Sequence, residues 1–182
     1  MRRLLATVVL SLTMLGAAAA PPAFIAADVP EARLAGEGEY TWFGMRIYWA
    51  QLWVGANGYQ GVASATAPFV LELRYARALD GKKIAEASHE QMQKLGVGTE
   101  QQRLAWLATM QRIFPDVKED QRIAGAYRAG IAPGVRFYLD GKVLADVSDG
   151  DFARAFFAIW LSPDSTAPKL RAALLQSAAP LP

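Results

Sequence analysis

Apolar and polar positions divide this chain into elements. From Ala32 to Trp42, and again from Met45 to Val54, large apolar side chains recur at strand spacing. One unbroken strand of that length would exceed the usual reach of about ten residues. Gly44 predicts instead a turn at Trp42-Phe43-Gly44 with a strand on either side. Both parities of the second strand are apolar. Met45, Ile47, Trp49 and Trp53 share one; Arg46, Tyr48, Ala50, Leu52 and Val54 share the other. Cover on both faces is expected for such a strand. Asn57-Gly58 marks a turn. Phe69 to Arg77 forms a third strand, with Phe69, Leu71, Leu73 and Tyr75 facing one way and Val70, Glu72, Arg74 and Ala76 the other.

The period then changes to that of helices. Asp80 caps a helix from Gly81 to Leu95, with an inner stripe of Ile84, Ala87, Ser88, Met92 and Leu95. Gly96 and Gly98 end it. Thr99 and Gln102 stand at capping-box spacing, opening a helix whose inner stripe is Leu104, Leu107, Met110 and Ile113. It stops before Phe114-Pro115. Gln121 to Arg128 and Val135 to Leu139 read as strands. Asp140-Gly141 is a hairpin turn, and Lys142 to Val147 is the return strand. Ser148 or Asp149 caps a helix carrying Phe152, Phe156, Ile159 and Trp160, which Pro163 stops. Ser165 or Thr166 opens a last helix with Leu170 and Leu174 on one face. Strands, helices, strands and helices in that order predict an α+β fold: a large, mostly antiparallel sheet with helices packed against one face.

Composition adds compartment and bounds on chemistry. Of 182 residues, the first 19 have the form of a secretory signal peptide: Arg2 and Arg3, an apolar run from Leu4 to Leu15, and Ala17-Ala18-Ala19 as a cleavage site. The run is short for a membrane span, which needs roughly 20 residues. Residues 20–31 read as a linker, 32–176 as one domain and 177–182 as a loose tail. The expected product is exported, periplasmic or secreted, with a retained leader acting as an anchor as the alternative. The formal charge of +2 equals the two leader arginines, so the mature chain is near neutral. That removes the charge argument for a nucleic-acid partner or an anionic membrane. There is no cysteine, hence neither disulfides nor a thiolate metal site. A chain of about 160 residues can bury a core without them.

Candidate chemistry is sparse. Arg46 and Tyr48 stand two apart, so a regular strand would aim both to one side, where a guanidinium and a phenol could hold a carboxylate. Arg74 and Arg77 are alternative cations on opposite faces of their strand. Plain structural roles compete in each case: a core tyrosine bonded to water or backbone, or an arginine lying along the sheet with its head in solvent. His89, the single histidine, reads as a surface residue, and a lone histidine makes no transition-metal site. Asp146, Asp149 and Asp151 lack the spacing of an EF-hand loop and are better explained by capping. No phosphate loop or nucleophile elbow is present.

Several segments in order carry a family resemblance: Gly36-Glu-Gly-Glu-Tyr-Thr-Trp-Phe-Gly44, Ile47-Tyr-Trp-Ala-Gln-Leu-Trp53, Leu71-Glu-Leu-Arg-Tyr-Ala-Arg77, Phe114-Pro-Asp-Val117, Asp140-Gly141, and Asp151-Phe152 through Ile159-Trp-Leu161. Together they resemble the bacterial branch of the chalcone isomerase-like family. The resemblance implies an open-faced β-sandwich, with a ligand cleft between sheet and helices. In the plant isomerases of that family an arginine, a threonine, a tyrosine and an asparagine act on substrate. Fatty-acid-binding members keep the arginine and carry a tyrosine in place of the threonine. By that correspondence Tyr48 takes the binding-type position. Ile84 falls near the catalytic tyrosine and Gln91 near the asparagine. The arginine position falls near Gly36, with Arg33 able to fill it across a short gap.

The reading is therefore an exported, monomeric or weakly associating, non-catalytic protein that holds a small hydrophobic acid, such as a fatty acid, without a cofactor or metal. Its candidate ligand-binding residues are Tyr48, Arg46, Arg74, Arg77 and Arg33. An isomerase or intramolecular lyase on the same scaffold, and an envelope scaffold protein with no ligand, are the alternatives.

Overall fold

The computed structural model describes residues 20–61 and 66–181. The leader pattern in residues 1–19 lies outside them. Six strands form one antiparallel sheet in chain order: β1 (Arg33–Trp42), β2 (Met45–Val54), β3 (Phe69–Tyr75), β4 (Arg122–Arg128), β5 (Gly134–Leu139) and β6 (Lys142–Val147). Every neighbouring pair is antiparallel, so the sheet is a simple meander.

Four helices cover one face: α2 (Gly81–Lys94), α3 (Glu100–Ile113), α4 (Gly150–Leu161) and α5 (Pro168–Leu174). The main core lies between them and the sheet. Apolar residues of one parity on β2 to β5 meet Phe152, Phe156, Phe157 and Trp160 of α4, the most completely buried helix. Asp80 caps α2 by accepting from Lys82 and Lys83 N–H. Thr99 and Gln102 form both halves of the capping box on α3. Asp149, not Ser148, caps α4.

Tertiary packing altered several expectations. The stretch expected as a linker contains a short helix, α1 (Ala23–Asp28). Its Ile25 and the following Val29 are fully buried against Trp53, Val70, Ala124, Ala126 and Tyr138 on the sheet's other face. Two apolar side chains at helical spacing are enough to dock six residues once a sheet surface is present. The inner stripe of α3 is rotated: Trp106 and Met110 are buried, whereas Leu104 is exposed. The last helix begins at Pro168 rather than at a hydroxyl cap. Ser165 instead donates its hydroxyl to the Ile159 carbonyl. Finally, the tail after Gln176 is docked. Ser177 N–H donates to the Ala35 carbonyl, Leu181 N–H to that of Ala56, and Ala178 is buried.

Candidate functional site

Tyr48 sits on β2 facing the helices. Its hydroxyl accepts from the Trp160 indole N–H at 2.9 Å. The ring stacks on Tyr40, with centroids 5.2 Å apart, and meets the edge of Tyr75 at 6.1 Å. Burial raises the Tyr48 phenol well above its ordinary pKa, opposed by the Trp160 hydrogen bond, and burial raises Tyr75 as well.

Arg46 is not beside it. Tyr40 faces Tyr48, but the next residue of β1, Thr41, faces Arg46. Ile47 is thereby skipped in the ladder. A bulge of this kind adds one residue to a strand and reverses the parity beyond it. Arg46 instead pairs with Glu39 and lies 4.8 Å from the Trp49 ring centroid. Arg74 approaches the same ring at 4.0 Å and pairs with Asp120 at 2.9 Å. The expectation that Arg46 and Tyr48 share a side is corrected by this register. The face holding Trp49 also carries Glu72, buried, with Arg122 3.2 Å away. Burial raises the Glu72 carboxyl above its usual range, and the nearby Arg122 opposes that shift.

The other two candidates lie elsewhere. Arg77 extends to the Met45 sulfur at 3.2 Å. Arg33 donates to the Ser177 and Ala179 carbonyls and so ties the C-terminal tail to the sheet edge. The five residues do not converge. At the positions compared with the plant enzymes, Ile84 is half-buried, and Gln91 accepts from the Thr166 hydroxyl at 2.6 Å. His89 is half-buried too, with Nδ1 3.2 Å from the Arg103 carbonyl.

A cleft of about 600 Å³ opens instead among the helix ends. One stripe of α4 forms a wall: Asp151, Arg154, Ala155, Ala158 and Leu161, at spacings of three and four. The opposite wall comes from Val97 and Gly98 in the α2–α3 turn and from Gln102 and Trp106, four apart on α3. Tyr59, Pro163 and Arg171 complete it. The turn is fixed by Arg103, which donates to the Val97 and Gly98 carbonyls. Gly98 has φ +68°, and a Cβ there would come within 2.6 Å of the Trp106 ring. Trp106 donates its indole N–H to Asp149 at 3.0 Å, the same carboxylate that caps α4.

Two cations reach this cleft. Arg154 pairs with Asp151. Arg171 donates Nε–H to the Leu161 carbonyl at 3.0 Å, and no carboxylate pairs with it among the described residues. The lining thus combines apolar walls with one net positive charge, a setting for an anionic group attached to an apolar body. Sequence reasoning missed it. The available signal was Arg154, three residues after Asp151 on a largely apolar helix, with Ala155 and Ala158 leaving space on the same stripe. No group of metal-ligating side chains occurs among the described residues.

Comparison with known proteins finds likenesses of three kinds: to a family, to a relative and to a solved fold. A family model described as chalcone isomerase-like matches residues 18–176. An uncharacterized protein of Haemophilus influenzae is 33% identical over 142 residues, which are 77% of this chain and 66% of the relative. The chain thus spans just under two thirds of that relative. Among solved structures, a fatty-acid binding protein of Arabidopsis thaliana superposes with a TM-score of 0.60 at 12% identity, covering 82% of this chain and 89% of the plant chain.

Proposed function

The chain belongs to the chalcone isomerase-like family, and from that premise we propose that it is a non-catalytic, exported binding protein for a small hydrophobic acid. The carrying observation is the cleft beside α4, with apolar walls and the Arg154 and Arg171 guanidinium groups on its lining. Its volume lies within the range of about 300–1,000 Å³ usual for small-molecule sites. Each methylene buried there contributes about 0.8 kcal/mol. A carboxylate would be costly to bury alone and is offset by a guanidinium partner. The Arabidopsis structural relative, a fatty-acid binding protein, supports the ligand class through shared fold. The leader pattern of residues 1–19 supports export.

The reading keeps the expected ligand and moves its site, because Tyr48 is engaged by Trp160, Tyr40 and Tyr75 and is absent from the cleft lining. Native mass spectrometry of the chain mixed with saturated fatty acids tests it. One bound acid per chain is expected. Binding should weaken in Arg171→Gln and disappear in Ala158→Trp, which fills the cleft. Binding that ignores both substitutions would place the ligand elsewhere.

A further inference from the structure

Among the described residues, two hairpins are joined by two-residue turns of the same geometry. Phe43 and Gly44 have φ of +48° and +76°; Asp140 and Gly141 have +48° and +77°. Two consecutive positive φ values favour Asn-Gly or Asp-Gly. The second turn obeys that preference. The first places a phenylalanine in the left-handed region, where an L side chain costs about 1–2 kcal/mol. It gains no burial in return: Phe43 is 84% exposed.

Its neighbours share that exposure. Trp42 is 56% and Met45 46% exposed, and the Trp42 and Phe43 rings meet edge to face at 4.7 Å. A Cβ at Gly44 would find nothing within 4 Å, so the tip stands clear of the body. Arg77 lies behind it, its guanidinium against the Met45 sulfur. It is exposed and has no carboxylate partner among the described residues.

We propose that the β1–β2 hairpin tip docks the protein on a phospholipid bilayer, with Trp42 and Phe43 in the headgroup region and Arg77 facing lipid phosphate. Aromatic side chains favour that interface, and an arginine stem can lie along apolar surface while its head meets an anion. Area also selects this occupant. At these exposures the tip offers about 400 Å² of apolar surface. A stable protein interface needs about 800 Å² from each partner; a bilayer needs no matching surface. With the mature chain near neutral, it is the tip rather than overall charge that brings the protein to the membrane. The inference stands apart from the ligand cleft.

The absence of cysteine permits a site-specific test in the full chain. Phe43→Cys carries a polarity-sensitive nitrobenzoxadiazole dye. A second protein carries it at Ser177→Cys, near Ala35 and far along β1 from the tip. Both are titrated with vesicles of phosphatidylcholine mixed with phosphatidylglycerol. Emission from position 43 should brighten several-fold and shift to the blue, while position 177 stays unchanged. Adding Trp42→Ser should raise the lipid concentration at half-saturation by about tenfold or more, the loss expected when a partly inserted indole is withdrawn. An unchanged signal at 43 overturns the proposal. So does an equal response at both positions, which would mean contact through another part of the chain. A response at 43 that follows protein concentration without lipid assigns the tip to a second copy and overturns it as well.

Discussion

The Trp160 indole N–H donates to the Tyr48 hydroxyl at 2.9 Å, joining helix α4 to strand β2 across the core. Both side chains are large, and each supplies the polar partner the other needs once buried. This contact ties the phenol to the scaffold, and the phenol is absent from the cleft lining.

Tyr48→Phe should lower stability by about 1–3 kcal/mol, because the Trp160 N–H loses its partner in the core. Urea denaturation measures the loss. Fatty-acid affinity should remain unchanged, since Tyr48 is absent from the cleft lining. Lost affinity at unchanged stability would return the phenol to the ligand.

Gly36 is where α5 touches the sheet. A Cβ there would stand 2.0 Å from the Ala173 carbonyl oxygen and 2.6 Å from that of Leu174. Backbone atoms cannot yield as a flexible side chain can. Gly36→Ala should therefore cost about 1–3 kcal/mol and loosen α5. Hydrogen exchange should rise first in residues 168–174.

Glu72 sets a pH dependence. Burial raises its carboxyl pKa in the fold, so the unfolded chain releases this proton first. The group's contribution is most favourable below the unfolded carboxylate pKa and is lost as pH rises through the folded value. Glu72→Gln removes the penalty and leaves Arg122 half in solvent. The variant should melt above the parent at pH 7, with the difference shrinking toward zero in acid. A constant difference across pH would show that ionisation is not the cause.

Phe43→Asn exchanges a poor left-handed residue for a favoured one. The gain of about 1 kcal/mol is partly offset by loss of the exposed Trp42 ring contact. Thermal stability should be equal or slightly higher, while vesicle binding falls. A purely structural Phe43 would leave binding untouched.

Local rules carried much of the fold. Met45–Val54 and Lys142–Val147 are strands at the expected bounds, because strand period and turn chemistry act within a few residues. The Asp80 cap and the Thr99–Gln102 box are local for the same reason. Residues 20–31 and 177–181 were misread because their order comes from distant partners: α1 from Trp53 and Tyr138, the tail from Arg33 and Ala35. The start of α5 differed because Ser165 lies in the preceding turn, donating to the Ile159 carbonyl and accepting from Ala167 N–H, and Pro168 opens the helix.

The site shows the same division. The alternating pattern placed Tyr48 on a buried strand face, and the ordered motifs identified the family. A one-residue bulge at Ile47 then sent Arg46 to the opposite side, and the parity rule cannot register it because the slip exists only between paired strands. Arg154 and Arg171 are 17 positions apart in the chain and meet at one cleft only because α4 and α5 pack together. Short stretches of the chain and the order of its motifs encode the six strands, the caps of α2 and α3 and the family. Tertiary structure alone decided which polar groups share a space, since that depends on register and packing between segments the chain keeps far apart.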